Sequence, residues 1–275
     1  VAAKEYYLYR IKFIKPAQLP LFFQEKSASD LFLESINNKP ELRLKNGSEW
    51  HIGNVEFFDN LTGIFAVGRT TKTMLEKFDK RSGNFIDTLD DSSPYTIVIF
   101  DCHIGLLGIA KKSKLAPNAE IVARKIKELL SRTETAINSG VDIRVDFIPD
   151  PQEFIEKIRG AYAIKSFKAT FTGPNPIDAD ELFQKPLSVY AQQIGAQRGV
   201  LEVQGESLNE AVVESVAKST AATANMASAR IISSKGSKPT KIKIQGDAIS
   251  VPVDKADSYR AVLGKIQLEY KKVRE

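Results

Sequence analysis

Between residues 63 and 126 the chain lays out one cassette: a strand pattern, a charged segment from Arg69 to Arg81, an acidic turn, a strand hairpin, a Lys-rich turn and a helix. Short strands joined by turns too brief for a crossover pair as antiparallel neighbours. The cassette therefore points to a mostly antiparallel sheet in this half of the chain.

The flanking segments extend that sheet. Residues 6–13 are aromatic and β-branched with partial alternation, the pattern of a half-exposed strand. Residues 29–36 place Leu31, Phe32, Ser35 and Ile36 at helical spacing, and Asn37-Asn38-Lys39-Pro40 stops that helix. Residues 50–58 and 61–67 form a hairpin about Asp59-Asn60, and residues 95–100 and 104–110 form another about Asp101-Cys102-His103. Asn118 caps a helix whose stripe runs Val122, Ile126, Leu129, Leu130, Thr133, Ile137, until Asn138-Ser139-Gly140 ends it.

Helix and strand signals then alternate. Asp150-Pro151-Gln152-Glu153 combines an N-cap with a proline at the first helical position, and Gly160 closes that helix. Ser207-Leu208-Asn209-Glu210 is a capping box opening an Ala-rich helix, and Asp178 with Glu181 resembles another. Pro186 is expected to divide the element it starts. Strands are expected over 143–148, 163–171, 199–203, 229–233 and 240–245, and Tyr259, Val262, Leu263, Ile266, Tyr270 and Val273 give an amphipathic C-terminal helix that needs a partner surface in this chain or another copy. The fold class is α+β. Residues 1–145 form the N-terminal sheet domain, 146–253 a smaller α+β domain with a ferredoxin-like arrangement among the candidates, and 254–275 the terminal helix.

The 275 residues suffice for two modest domains, and 43% hydrophobic with 27% charged residues is an ordinary globular balance. No apolar run approaches the roughly 20 residues that cross a bilayer. The opening Val1-Ala2-Ala3-Lys4-Glu5 enters a strand pattern without a signal-peptide layout, and the single Cys102 permits no internal disulfide. A cytoplasmic protein without direct membrane insertion is the expectation.

Residue types that carry chemistry are sparse. Asp101-Cys102-His103 holds a carboxylate, a thiol and a base, but adjacent residues cannot turn three side chains toward one substrate, so the triplet reads as a hairpin turn. His51, His103 and Cys102 cannot supply a zinc set, and no Asp-rich loop resembles a cation loop. Residues 105–113 lack the glycine directly before the lysine that a phosphate-wrapping loop requires. Asp90-Asp91 reads as a solvated turn and Asp254/Asp257 as the first turn of a helix. No catalytic residue, metal or cofactor is assigned. The enzymatic alternative is a metal-dependent nuclease pairing Asp180 with the strand Glu202-Val203-Gln204, Glu202 being a metal ligand.

The strongest functional signal is electrostatic. The chain carries a net charge of +5, and residues 228–275 hold 11 Lys and Arg against 5 Asp and Glu. From Met226 to Gly246 there is no acid, while Arg230, Lys235, Lys238, Lys241 and Lys243 are all present. Residues 233–241 read as a hairpin tip whose lysines neutralise phosphates and whose Ser and Thr hydroxyls donate hydrogen bonds. The competing reading is a solvated turn whose lysines protect an edge strand. Lys241 and Lys243 alternate with Ile242 and Ile244, which puts the lysines on one face. Lys111, Lys112 and Lys114 form a second basic turn. Arg69 and Lys72 form another group, and Lys77, Lys80 and Arg81, interleaved with Glu76 and Asp79, fit a salt-bridged helix surface.

In order and spacing, Phe65-Ala66-Val67-Gly68-Arg69-Thr70-Thr71-Lys72-Thr73, Ile86-Asp87-Thr88-Leu89-Asp90-Asp91-Ser92-Ser93-Pro94, Ile99-Phe100-Asp101-Cys102-His103-Ile104-Gly105 and residues 117–126 resemble the RexA-like phage-exclusion protein family. The KwaB half of the Kiwa defence system is similar to that family. The resemblance implies a cytoplasmic DNA-binding sensor of phage infection, a homodimer working with a small membrane effector protein. It implies no site residue.

The expectation is thus a sequence-nonspecific double-stranded DNA-binding protein that acts in phage defence and signals to a partner. Arg230, Lys235, Lys238, Lys241, Lys243, Lys111, Lys112 and Lys114 are its contacts. The alternatives are the nuclease and a protein-interaction module that binds no DNA.

Overall fold

A computed structural model describes residues 4–14, 26–45, 47–172, 181, 183–196 and 198–275. In chain order its elements are β1 (Lys4–Ile14), α1 (Ala28–Asn37), β2 (Glu41–Arg43), β3 (Glu49–Phe57), β4 (Thr62–Asp79), β5 (Asn84–Ser92), β6 (Tyr95–Asp101), β7 (Leu106–Ala110), α2 (Ala119–Leu130) and α3 (Glu134–Ser139). There follow β8 (Asp142–Phe147), α4 (Gln152–Arg159), β9 (Ala163–Phe171), α5 (Gln184–Gln193), β10 (Gly199–Gln204), α6 (Glu210–Ala222), β11 (Ala227–Ile232), β12 (Thr240–Lys243), β13 (Ser250–Val253) and α7 (Tyr259–Arg274). The α+β class stands.

Nine strands make the first sheet, in the order β13-β1-β7-β6-β4-β3-β2, with β5 on β4 and β8 on β1. Every pair in it is antiparallel. β1 was expected to be half exposed, yet almost every residue from Tyr6 onward is buried. Both its faces are covered. Tyr9, Ile11 and Phe13 join α1 and α2 in one core, while Tyr6 and Leu8 join α7 and the second sheet in another.

β8 and β13 lie end to end along the same edge of β1, linked by an isolated bridge between Pro149 and Ala248. The chain leaves the first sheet through β8, builds the second sheet, and returns through β13. β8 thus runs across the 145/146 division, and β13 belongs with β1. At the crossing Gly246 is required, because a Cβ there would lie 2.1 Å from the Asp150 carbonyl oxygen.

The second sheet has the order β10-β9-β11-β12, all antiparallel, with elements running β-α-β-α-β-β. This departs from the β-α-β-β-α-β order of a ferredoxin-like unit. Phe167, Ala169, Ala227, Ala229 and Ile231 point inward beneath Phe154 and Ile158 of α4 and Val213, Val216 and Ala217 of α6. The stripe of α7 finds its surface within this chain: Val262, Leu263, Ile266, Tyr270 and Val273 are buried. Gly108 on β7 lets the helix approach, since a Cβ there would meet Ile266 Cδ1 at 2.3 Å. Buried Arg10 donates to Tyr270 Oη at 2.7 Å, and Gln267 Nε2 donates to buried Asp101 at 2.7 Å.

Several local expectations are corrected. The helix after Asn118 stops at Leu130, Thr133 caps a second helix by accepting from Ala136 N, and Ile137 is exposed. The cap of α6 is Asn209, accepting from Val212 N, rather than Ser207. Pro186 does not divide α5 but lies in its first turn, where its missing N–H costs no helical bond. Asp150 accepts from Gln152 N, one residue before the α4 N-cap position held by Pro151. Asp254 and Asp257 precede α7, whose cap is Ser258. The charged segment after Arg69 is not helical: it continues β4 to Asp79 and pairs with β5, which takes up Asp90 and Asp91 as strand rather than turn. The pairing of Asp178 with Glu181 lies outside the described residues.

Candidate nucleic-acid interface

The acid-free stretch folds as the β11–β12 hairpin at one edge of the second sheet. Alternation decides which side chains reach water. Ala227, Ala229 and Ile231 are buried while Arg230 is exposed, and Ile244 is buried while Lys241 and Lys243 are exposed. Register then assembles two rows across the outer face. One runs Glu202, Lys168, Ser228, Lys243, and the other runs Gln204, Ser166, Arg230, Lys241. Arg230, Lys241 and Lys243 therefore share one surface, which Lys168 of β9 extends.

Glu202 is the one carboxylate in these rows, and its Oε2 lies 3.8 Å from Lys168 Nζ. Among the described residues, Arg230, Lys235, Lys238, Lys241 and Lys243 take part in no ion pair. β12 is an edge strand, so edge protection by lysine remains built into the same geometry. β12 also borders a cleft in which Lys241 and Lys243 are joined by Asp150, Glu153 and Lys157 of the α4 region. Glu153 is held below the usual carboxylate range by its 2.5 Å bond from Lys157, so the cleft is mixed in charge.

At the tip the hydroxyls behave differently from expectation. Ser237 Oγ donates to the Ser234 carbonyl at 2.8 Å and accepts from Ser234 N at 3.2 Å, with Gly236 at φ +84°. Ser237 is thus committed to holding the turn. Lys235 and Lys238 flank it, both exposed.

The second cluster, Lys111, Lys112 and Lys114, lies after β7 on the other sheet, so the fold divides the predicted contacts into two patches. The Lys112 ammonium lies 4.6 Å from the centroid of the Tyr95 ring, and that of Lys111 6.0 Å from Tyr7. Lys4 lies over Tyr6 and Tyr259, and burial followed by repulsion from Lys112 pulls its pKa down. Lys4, Lys111 and Lys112 are thus cations on aromatic faces.

Lys168 and Lys4 were not among the predicted contacts. The strand pattern of 163–171 contains the signal for Lys168, an outward lysine between inward Phe167 and Ala169. For Lys4 no sequence signal exists, since Lys112 and Tyr259 reach it only through the fold.

The remaining sites carry no assembled chemistry. Asp101-Cys102-His103 is a turn, with Asp101 Oδ1 accepting from His103 N at 2.9 Å and lying 3.0 Å from His103 Nδ1. Burial, then the Asp101 and Asp59 carboxylates, push the Cys102 thiol far up, which keeps it protonated and a poor nucleophile. Among the described residues no group of three or more His, Cys, Asp and Glu side chains could hold a metal ion, and Asp180 lies outside them. No helix among them is long and apolar enough to cross a membrane.

No protein-family model matches the chain, and no curated protein matches it.

Proposed function

We propose that the outer face of the second sheet binds the phosphate backbone of double-stranded DNA without sequence preference. Arg230, Lys241, Lys243 and Lys168 form its floor, Lys235 and Lys238 its tip, and Lys111, Lys112 and Lys114 a separate accessory patch. The observation that supports this reading is the register of the hairpin: it sets Arg230 directly opposite Lys241, and among the described residues neither takes part in an ion pair. Lysines and an arginine on a sheet face offer charge to phosphates but no recognition helix for base edges.

The resemblance to RexA-like phage-exclusion proteins supplies the setting. In it the chain is a sensor in phage defence, cytoplasmic and dimeric, whose DNA-bound state is passed to a small membrane effector. A nuclease reading is less well supported, because among the described residues the carboxylate of Glu202 faces Lys168 and joins no metal-holding group of acids.

A gel-shift comparison of the wild type with Lys238→Glu/Lys241→Glu tests the proposal. The double variant should weaken binding to unrelated duplexes by the same factor, tenfold or more. Unchanged affinity would remove the hairpin from the interface.

A further inference from the structure

Residues 71–79 of β4 and all of β5 leave the first sheet as a two-stranded ribbon, since among the described residues β5 pairs with no strand but β4. At about 3.3 Å per residue the ribbon is about 30 Å long. Such a ribbon is marginal in water by itself. This one also exposes large apolar groups, with Phe85 82%, Leu89 61%, Met74 60% and Phe78 54% accessible. Among the described residues both long edges are open, and a globular surface ordinarily avoids that combination.

Along one face the rungs are ordered. Met74 stands opposite Leu89, then Glu76 opposite Asp87, then Phe78 opposite Phe85, their rings 5.1 Å apart edge to face. Beyond lies the turn, with exposed Lys80 and Arg81, built on Asp79, whose carboxylate accepts from Arg81 N and Ser82 N. Two carboxylates directly opposite each other destabilise a strand pair. Among the described residues neither Glu76 nor Asp87 has an ion-pair partner.

The order acid, aromatic, base is its own complement. A two-fold axis through the Phe78–Phe85 rung would set aromatic on aromatic and place each Glu76–Asp87 rung against the Lys80-Arg81 turn of the other copy, as a self-complementary isologous contact requires. Centring the axis on the acidic rung would instead stack four carboxylates. From this pattern we infer that the ribbon is a self-association element whose occupant is the ribbon of a second copy of this chain. The ribbon supplies the contact of the dimer proposed for this sensor, and that contact lies outside the basic face and does not depend on its binding DNA.

Sedimentation velocity on the full chain tests it. The wild type should sediment as a dimer, and Phe78→Glu/Phe85→Glu should halve the mass while leaving the circular dichroism and thermal transition in place. Glu76→Lys/Asp87→Lys should also give monomer, and adding Lys80→Glu/Arg81→Glu should restore the dimer by exchanging both signs. A wild type that is monomeric at high micromolar concentration overturns the inference. So does a dimer indifferent to the Phe pair, or a charge-exchanged variant that stays monomeric.

Discussion

Arg230 on β11 and Lys241 on β12 stand directly opposite each other, and both side chains are exposed. Like charges in such a pair cost the hairpin a few tenths of a kcal/mol to about 1 kcal/mol. The hairpin would be more stable without one of them. Lys241→Gln is therefore expected to leave stability unchanged or raise it by up to about 1 kcal/mol, while weakening DNA binding. Chemical denaturation and a binding titration on the same preparation would show the opposed signs. Loss of both together would mean that Lys241 serves the fold.

Glu202 separates binding from cleavage. Its carboxylate sits 3.8 Å from Lys168 Nζ and offsets that cation. Glu202→Gln should tighten DNA binding two- to threefold and steepen its salt dependence. A metal-dependent nuclease would instead lose cleavage in this variant, which a plasmid-nicking assay with magnesium or manganese would reveal.

How far the sequence could be read depended on whether local pattern or long-range packing decided an element. The hairpin strands, β9 and α1 were legible because each has one face in a core, which stamps its period on the residues. Among its described side chains the β4–β5 ribbon has no buried face and hence no such period, and Glu76 and Lys80 at helical spacing imitate a helix surface. The stripe after Asn118 continues past Leu130 in sequence, but the side-chain bond from Thr133 to Ala136 N restarts the helix and turns Ile137 outward. Residues 6–13 read as a half-exposed strand that carries two cations, Arg10 and Lys12. They are buried because α7 and the second sheet, distant in sequence, close over that face.

Lys12 makes stability depend on pH. It is almost fully buried, its Nζ donates to Thr172 Oγ1 at 3.1 Å, and burial, followed by the Arg10 and Arg144 charges against Asp146, lowers its pKa from 10.5 to about 7. Between those values the unfolded chain binds the proton and the native chain largely does not, so stability rises with pH across this window. The contribution is complete above the ordinary lysine range and is lost as pH falls through about 7. Urea midpoints at pH 7 and pH 9.5 should differ in the wild type, with the higher value at pH 9.5. Lys12→Met should flatten that difference, and an unaltered slope would mean that another group sets it.

The seat of α7 can be probed at Gly108. An added Cβ would meet Ile266 Cδ1 at 2.3 Å, inside a core where Ile266 is 1% accessible. Gly108→Ala should destabilise by about 1–3 kcal/mol in urea denaturation. Ile266→Val removes the clashing methyl, so the double variant should cost clearly less than the sum of its parts. Strict additivity would show that the helix moves away as a unit.

The basic face itself is tested most directly by the affinity of the full chain for a duplex of arbitrary sequence, measured by fluorescence anisotropy across a series of salt concentrations. The binding constant should fall linearly on a log–log plot, with the slope magnitude reduced by about one for each of Lys238 and Lys241 exchanged for glutamine. Absence of binding at the lowest salt, or a slope untouched by both exchanges, would contradict the assignment of this face to DNA.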